Sequence, residues 1–169
     1  PPMDQSLRYI PGKEAVHIDT AFKFPEKEGF LHAAEMCSGS GDCRKSSLMG
    51  GTMCPTFMAT GDEDKSTRAR ANMLREFLTW SEKKHPYDHV ELYRIMDLCL
   101  SCKACKSECH SNVDMTKLKA EFLQHYYEIH GIPFRSWLVG YLPKLYGLAL
   151  PFSPVVNFLT GTRFFRKMI

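Results

Sequence analysis

Apolar residues recur at helical spacing in three stretches of the chain, and each stretch begins beside a residue that can cap a helix. In the first stretch, Ser66 or Thr67 can cap a helix that runs to about Lys84. Pro86 then prevents the helix from continuing. Its apolar face consists of Ala69, Ala71, Leu74, Phe77 and Leu78. The pattern predicts an amphipathic helix that buries this face in a core.

The second stretch begins at Asp88–Glu91, which has the form of a capping box. The helix that follows has an apolar face made of Leu92, Ile95 and Met96. Cys99 continues the same spacing and is therefore predicted to lie in the last turn, on the buried side.

The third stretch can be capped by Asp114 and ended by Gly131 in the left-handed conformation. Its apolar face consists of Leu118, Phe122, Tyr126 and Ile129. No stretch of the sequence shows a convincing alternation with period two, the pattern that indicates strands. The sequence therefore predicts a mostly α fold.

The three helices fall within a predicted domain at residues 26–131. Residues 1–25 show little periodicity and predict an extended arm or linker, whereas Glu26–Met36 predicts a short helix leading into Cys37. A loop rich in glycine is predicted at Ser38–Asp62, where glycine permits positive φ and close approach of the backbone to a bound group.

Residues 132–169 are more apolar, and prolines interrupt them at Pro143, Pro151 and Pro154. The segment is too broken to predict a transmembrane helix. We expect a helical extension that packs on the core or on a neighbouring domain. The alternative is peripheral contact with a membrane surface, where three basic residues would suit anionic lipid. They are Arg163, Arg166 and Lys167.

The composition favours a globular protein from a reducing compartment. The chain has 169 residues, 44% of them hydrophobic, and its net charge of +3 gives no indication of nucleic acid as a partner. The seven cysteines are an odd number and residues 1–14 lack the pattern of a secretory signal peptide, so disulfides are not favoured. We expect metal-held cysteines in the cytoplasm, where the chain could also attach peripherally to the inner face of the cell membrane.

Four of the cysteines have the spacing C-x2-C-x2-C-x3-C, at Cys99, Cys102, Cys105 and Cys109. This is the spacing of iron–sulfur ligands in bacterial ferredoxins, in which the fourth cysteine binds the other cluster of a pair. The motif therefore predicts a partner motif, which Cys37, Cys43 and Cys54 can supply.

If the fourth cysteine of each motif binds the cluster of the other motif, the seven cysteines form two sites. The complete site consists of Cys54, Cys99, Cys102 and Cys105 and suits a [4Fe–4S] cluster. The second site consists of Cys37, Cys43 and Cys109 and suits either a [3Fe–4S] cluster or a [4Fe–4S] cluster with a different fourth ligand. The candidates for that ligand are Ser40, Asp42, His110 and water, and an ordinary surface role for His110 is the favoured alternative.

Basic residues near the cysteines could offset the negative charge of the clusters or could form a solvated surface. They are Arg44, Lys45, Lys103 and Lys106. The same choice is open for Arg68 and Arg70, which could also position a neighbouring domain.

Several stretches around the cysteines carry a family resemblance, namely Cys37–Lys45, Gly51–Thr56, Ser66–Ala71 and Asp97–Met115. Through them the chain resembles the iron–sulfur segment of large FAD-linked oxidoreductases of the D-lactate, glycolate and D-2-hydroxyglutarate dehydrogenase type. Its fold is expected to be similar to the helical ferredoxin domain of succinate dehydrogenase and fumarate reductase iron–sulfur subunits.

The resemblance implies a helical ferredoxin-like domain that relays electrons from a flavin towards a downstream acceptor. The FAD would lie in a neighbouring domain or subunit, and we expect no catalytic residues in this chain itself. The sequence has no G-x-G-x-x-G motif after a predicted strand.

A structural zinc-binding or interaction module is the alternative function. Zinc sites favour C-x2-C pairs separated by a loop of about a dozen or more residues. No such loop separates the cysteines between Cys99 and Cys109. The spacing therefore favours iron–sulfur clusters over zinc.

Overall fold

The computed structural model describes residue 2 and residues 19–24 and 29–162. Within these residues it contains eight α-helices, joined by short 3₁₀ turns and irregular segments, and no strand. The predicted mostly α fold is confirmed. Most of the arm predicted at 1–25 lies outside the described residues, as do Arg163, Arg166 and Lys167.

The chain divides into two compact units, with the boundary between Ile129 and His130. The first unit contains α1 (Gly29–Glu35), α2 (Pro55–Thr60), α3 (Thr67–Trp80), α4 (Val90–Asp97), α5 (Ala104–Glu108) and nearly all of α6 (Met115–His130). The second contains α7 (Phe134–Ala149) and α8 (Ser153–Gly161).

The core of the first unit is built from the apolar faces that the sequence indicates. Its buried side chains include Phe30, Ala34, Ala71, Leu74, Leu78, Leu92, Met96, Leu118, Phe122 and Tyr126. These residues come from α1, α3, α4 and α6, so the core holds these four helices together. The cysteine-bearing segments lie at the ends of the helices, and Cys43, Cys54 and Cys105 join the same buried cluster.

Helix α3 begins as predicted, because the Ser66 hydroxyl oxygen accepts a hydrogen bond from the Ala69 N–H at 3.0 Å. It ends at Trp80 rather than at about Lys84, because Ser81 adopts an extended conformation. The end of the helix therefore precedes Pro86 by several residues.

The start of helix α4 differs from the predicted capping box. Its N-cap is His89, one residue after Asp88, and no side chain caps the helix there. The centroid of the His89 ring instead lies 4.3 Å from the centroid of the Phe77 ring, and His89 Nε2 is 2.8 Å from Ser81 Oγ. The helix also ends at Asp97, so Cys99 follows the helix instead of lying in its last turn.

Helix α6 begins and ends as predicted. Asp114 Oδ1 accepts a hydrogen bond from the Lys117 N–H at 3.1 Å, and Gly131 has a positive φ of 79°. Leu118, Phe122 and Tyr126 are buried, whereas Ile129 at the end of the predicted face is exposed.

A buried carboxylate on α6 holds a segment near the N-terminus. Glu121 has no solvent exposure, and its two oxygens accept hydrogen bonds from the N–H groups of Ala21 and Phe22, at 2.8 and 2.9 Å. His125 Nε2 lies 2.9 Å from the same carboxylate. These contacts tie residues 21 and 22 to the middle of α6.

The region predicted as a loop at Ser38–Asp62 contains more structure than expected. Two 3₁₀ turns lie at Asp42–Arg44 and Ser47–Met49, and α2 follows. The signals for α2 are present in the sequence, since Pro55 occupies its first position and Gly61 ends it with a φ of 70°.

The second unit is helical, and many of its apolar side chains are exposed, among them Phe134, Leu148, Phe152 and Phe158. Pro143 is accommodated inside α7, and Pro154 lies in the first turn of α8, where proline is tolerated. No helix in the described part of the chain combines the length and the apolar character needed to cross a bilayer.

Candidate metal centre

Four of the seven cysteines line one cavity in the first unit. They are Cys54, Cys99, Cys102 and Cys105. Cys54 lies immediately before α2 and Cys105 lies in α5, while Cys99 and Cys102 lie in the segment that joins α4 to α5. The structure therefore brings together the four residues of the predicted complete site, although Cys54 is far from the others in sequence.

The backbone around these cysteines adopts conformations that non-glycine residues rarely take. The non-glycine residues with positive φ in the described chain are Cys54, Ser101, Lys103 and Asn112, at 57°, 54°, 63° and 56°. Such strain persists where the surrounding structure fixes it, and it concentrates at functional sites. Positive φ was predicted for Gly131 and for the glycine-rich loop, where Gly39, Gly41, Gly50, Gly51 and Gly61 confirm it, but not for these four residues.

Helix N-termini supply N–H donors to two of the cysteine sulfurs. The Met115 N–H at the start of α6 donates to Cys105, and the Arg68 N–H near the start of α3 lies 3.3 Å from Cys43 Sγ. Burial raises the pKa of both thiols, and these N–H groups act in the opposite direction. The donors therefore favour the thiolate form that binds metal.

Positive charge also surrounds the four-cysteine cavity. Arg70 and Lys103 contribute to its wall, and Arg70 is 1% exposed with Nη1 3.7 Å from Cys54 Sγ. Lys119 Nζ donates to the Cys99 carbonyl oxygen at 2.7 Å, and burial lowers the pKa of its amine. The sequence left the role of Arg70 open, and the structure places it in the interior beside the cysteines.

Two buried polar atoms of this wall have no hydrogen-bond partner among the described residues. They are Arg70 Nη2 and Thr116 Oγ1. Buried donors are ordinarily paired, since an unpaired one costs about 1–3 kcal/mol. Four thiols, a buried cation and two unpaired donors around one hollow fit an anionic sulfur-rich cluster.

Hydrogen bonds connect the residues that adjoin the other three cysteines in sequence. His110 follows Cys109, and its Nδ1 lies 3.1 Å from Asp42 Oδ2, next to Cys43. Its Nε2 lies 3.1 Å from the hydroxyl of Ser38, which follows Cys37. This hydrogen-bonded group therefore brings together the three segments that carry the predicted second site.

The three side-chain candidates for an extra ligand, Ser40, Asp42 and His110, all belong to that group. Ser40 donates to Asp42 Oδ2 at 3.3 Å, and the hydrogen bond from His110 is the main reason that the pKa of Asp42 is lowered. Both ring nitrogens of His110 thus have hydrogen-bond partners. A ring in this arrangement must give up one of these contacts in order to bind iron.

A carboxylate links the two cysteine motifs directly. Glu108 accepts hydrogen bonds from the N–H and hydroxyl of Thr52 at 2.8 and 2.6 Å, and from the Met53 N–H at 3.2 Å. The Thr52 contacts lower the pKa of Glu108. A Cβ at Gly51 would lie 2.7 Å from Glu108 Oε2, so a larger residue there would displace this carboxylate. No local pattern in the sequence signals this contact.

Several of the basic residues predicted near the clusters form ion pairs at the surface. Glu63 pairs with Arg44 at 2.5 Å and with Arg68 at 2.7 Å, while Lys106 pairs with Asp114 at 3.1 Å. Such exposed pairs contribute little to stability. In the described ranges, no three His, Cys, Asp or Glu side chains are grouped so that they could hold a single metal ion.

Comparison with known families identifies the cysteine-bearing part of the chain. Residues 33–113 match the family described as the 4Fe-4S dicluster domain. With its helical fold, the chain therefore carries a ferredoxin-like dicluster domain, as the spacing of its cysteines predicted. The match supports an iron–sulfur electron-transfer role for this part of the chain.

The chain is also homologous to D-2-hydroxyglutarate dehydrogenases. It is 25% identical to that of Escherichia coli K12 over 78% of this chain and 16% of the relative. It is 25% identical to that of Pseudomonas putida, over 65% of this chain and 14% of the relative. It is 26% identical to that of Pantoea ananatis, over 72% of this chain and 15% of the relative. The chain thus spans only 14–16% of the length of these relatives. No solved structure matches the chain significantly.

Proposed function

From the premise that residues 33–113 match the 4Fe-4S dicluster domain, we propose that this chain is a two-cluster relay within a larger flavin-linked oxidoreductase. The observation that carries the proposal is the convergence of Cys54, Cys99, Cys102 and Cys105 on one cavity. Once bound, the clusters supply one-electron transfer, and the residues of this chain hold them and set their surroundings.

The first site uses these four cysteines as ligands of a [4Fe–4S] cluster. Three come from one short segment and the fourth from the residue before α2. The buried guanidinium of Arg70 and the Met115 N–H favour thiolates over thiols, because both stabilise negative charge on sulfur.

The second site uses Cys37, Cys43 and Cys109. With three thiolates it binds a [3Fe–4S] cluster, or a [4Fe–4S] cluster completed by Ser40, Asp42, His110 or water. The hydrogen bonds that already engage both ring nitrogens of His110 favour the three-iron form over ligation by this residue.

The two sites are neighbours, which suits a relay. Cys54 lies near enough to Cys43 for its charge to raise the pKa of the Cys43 thiol, after the larger effect of burial. Cys105 lies in α5 and Cys109 follows that helix directly, with its N–H bonded to the Cys105 carbonyl oxygen at 3.0 Å. A short helix therefore connects a ligand of one cluster to a ligand of the other.

The partners of the relay would lie outside this chain. The relatives are named as D-2-hydroxyglutarate dehydrogenases, so we infer that the electrons come from oxidation of a 2-hydroxy acid at a flavin in a neighbouring domain or subunit. They would leave towards a downstream acceptor. Residues 132–169 would pack on a neighbouring domain or contact the inner face of the cytoplasmic membrane peripherally.

Anaerobic purification followed by iron and sulfide analysis tests the proposal. Electron paramagnetic resonance should show a three-iron signal in the oxidised protein and a four-iron signal after reduction. A protein that contains zinc and is spectroscopically silent, from the same anaerobic preparation, would overturn the relay and favour the structural zinc module.

A further inference from the structure

Two residues in the wall of the four-cysteine cavity each have a buried polar atom that makes no hydrogen bond to any described residue. They are Arg70, through Nη2, and Thr116, through its hydroxyl. We propose that both donate hydrogen bonds to the sulfur atoms of the first cluster and raise its reduction potential. This inference rests on the proposed electron-transfer function and assigns two positioning residues to it.

Arg70 is held so that only one end of its guanidinium remains free. Its Nε donates to the Ile95 carbonyl oxygen at 3.0 Å, and its Nη1 donates to the Lys65 carbonyl oxygen at 2.6 Å. These two contacts fix the plane of the group, so Nη2 has little freedom to turn elsewhere. The orientation is thus set by the protein before any cluster binds.

The charge of Arg70 requires an anionic counterpart. The side chain is 1% exposed, and none of the ion pairs within the described residues involves it. A buried cation without a counter-charge is strongly unfavourable, because water no longer solvates it. A cluster bound by four thiolates is anionic and would lie on the side of Arg70 where Cys54 Sγ is 3.7 Å from Nη1.

Thr116 lies in the first turn of α6, next to the residue whose N–H donates to Cys105. Its hydroxyl oxygen is buried and makes no hydrogen bond within the described structure. Threonine hydroxyls in helices commonly bond to a carbonyl of the preceding turn, but no such turn precedes Thr116. A sulfur atom in the cavity would accept its hydrogen bond.

Thr56 provides an internal comparison in the same wall. Its hydroxyl donates to the Leu98 carbonyl oxygen at 3.0 Å and is therefore not available to a cluster. Of these two threonines, which contribute the same chemical group to one cavity, only Thr116 has a buried hydroxyl without a hydrogen bond among the described residues.

Donors to cluster sulfur stabilise the reduced form more than the oxidised form, because the reduced cluster carries one more negative charge. Loss of either donor should therefore move the midpoint potential of the first cluster to a more negative value. Thr116→Val is the sharpest variant, since it removes the hydroxyl and nearly preserves the shape of the side chain. Thr56→Val is its matched control.

The experiment is a redox titration of the cluster-loaded full chain, followed by electron paramagnetic resonance, with iron and sulfide measured on each sample. We expect a more negative midpoint for Thr116→Val at an unchanged iron content, and the wild-type midpoint for Thr56→Val. A wild-type midpoint for Thr116→Val, or an equal shift in Thr56→Val, would overturn the assignment of Thr116.

For Arg70, the variants are Arg70→Lys and Arg70→Gln. We expect the midpoint to be more negative in both, with the larger shift in Arg70→Gln, which loses the charge as well as the donor. If a variant binds no iron, circular dichroism of the apo forms distinguishes the loss of a cluster contact from the loss of the fold. A helical signal equal to that of wild-type apo protein supports contact with the cluster, and a lower signal assigns Arg70 to the fold alone.

Failure of this inference can be distinguished from failure of the relay. A wild-type chain without a reducible cluster would contradict the proposed function itself. A reducible cluster with a midpoint that is unaffected by these substitutions would leave the relay in place and remove only the roles given to Arg70 and Thr116.

Discussion

Glu108 and Thr52 are 56 residues apart in sequence, and the Glu108 carboxylate accepts hydrogen bonds from both the N–H and the hydroxyl of Thr52. Thr52 precedes Cys54 by two residues, and Glu108 directly precedes Cys109. The contact therefore holds the segment with Cys54, a ligand of the first proposed cluster, against the segment with Cys109, a ligand of the second.

Glu108→Ala should release this connection. The N–H groups of Thr52 and Met53 would then lose their acceptor, and the segment that carries Cys54 would be less firmly held. We expect faster loss of iron to a chelator and a lower urea midpoint. Glu82→Ala, at an exposed carboxylate between α3 and α4, is the control. Equal rates of iron loss for the two variants would show that the Glu108 contact does not support the clusters.

Gly51→Ala should disturb the same contact by a different route. Its φ is 85°, and the added Cβ would lie 2.7 Å from Glu108 Oε2, so the substitution adds a steric conflict to backbone strain of about 1–3 kcal/mol. Gly131→Ala is a matched control, because Gly131 has a φ of 79°, lies outside the cysteine motifs, and a Cβ added there would meet no atom within 4 Å.

We therefore expect both glycine variants to lose stability in urea unfolding, and only Gly51→Ala to lose iron rapidly. If the two behave alike in both measurements, backbone strain accounts for the whole effect and the close approach of Glu108 is unimportant.

Ser40→Cys should complete the second site with a fourth thiolate. If the wild-type site holds three irons, the variant should gain one iron and lose the oxidised three-iron signal. Cys102→Ser provides the contrast, because it should abolish the first cluster and leave the three-iron signal unchanged. An unaltered iron count in Ser40→Cys would indicate that the second site already binds four irons, or binds none.

Glu121→Ala should free the segment at residues 21 and 22. The carboxylate is fully buried and accepts two backbone hydrogen bonds, so its loss leaves unpaired donors and a small cavity. We expect the free energy of unfolding to fall by about 1–3 kcal/mol, and proteases to cleave near residue 22 more rapidly. Gln124→Ala, at an exposed position of the same helix, should change neither quantity.

The features that sequence predicts well here depend on short-range patterns. Ser66 and Asp114 cap α3 and α6 because their side chains reach N–H groups within the next turn, and such signals are contained in a few residues. The spacing of Cys99, Cys102 and Cys105 likewise follows from the geometry of a single ligand shell.

The features that sequence does not predict depend on contacts across the fold. His89 replaces Asp88 as the N-cap because its ring packs between Phe77 and Ser81, which belong to the preceding helix and its end. The burial of Arg70 is of the same kind, since the carbonyl that binds its Nε comes from Ile95 in α4. Helical spacing does separate the two arginines, because Arg70 lies four residues before Leu74 on the buried face of α3 and Arg68 does not, but it does not reveal the carbonyl partner.

The wall of the four-cysteine cavity extends along the chain from Cys54 to Thr116, and this has a consequence for biosynthesis. A ribosome that has released the chain only as far as residue 60 has made one side of the cavity and only one of its thiols. The hollow takes shape only after α3, α4, α5 and the start of α6 have emerged and folded against each other. Any machinery that delivers iron to this cavity must therefore act after Thr116 has emerged, and a translation product that stops before α5 offers it no complete binding place.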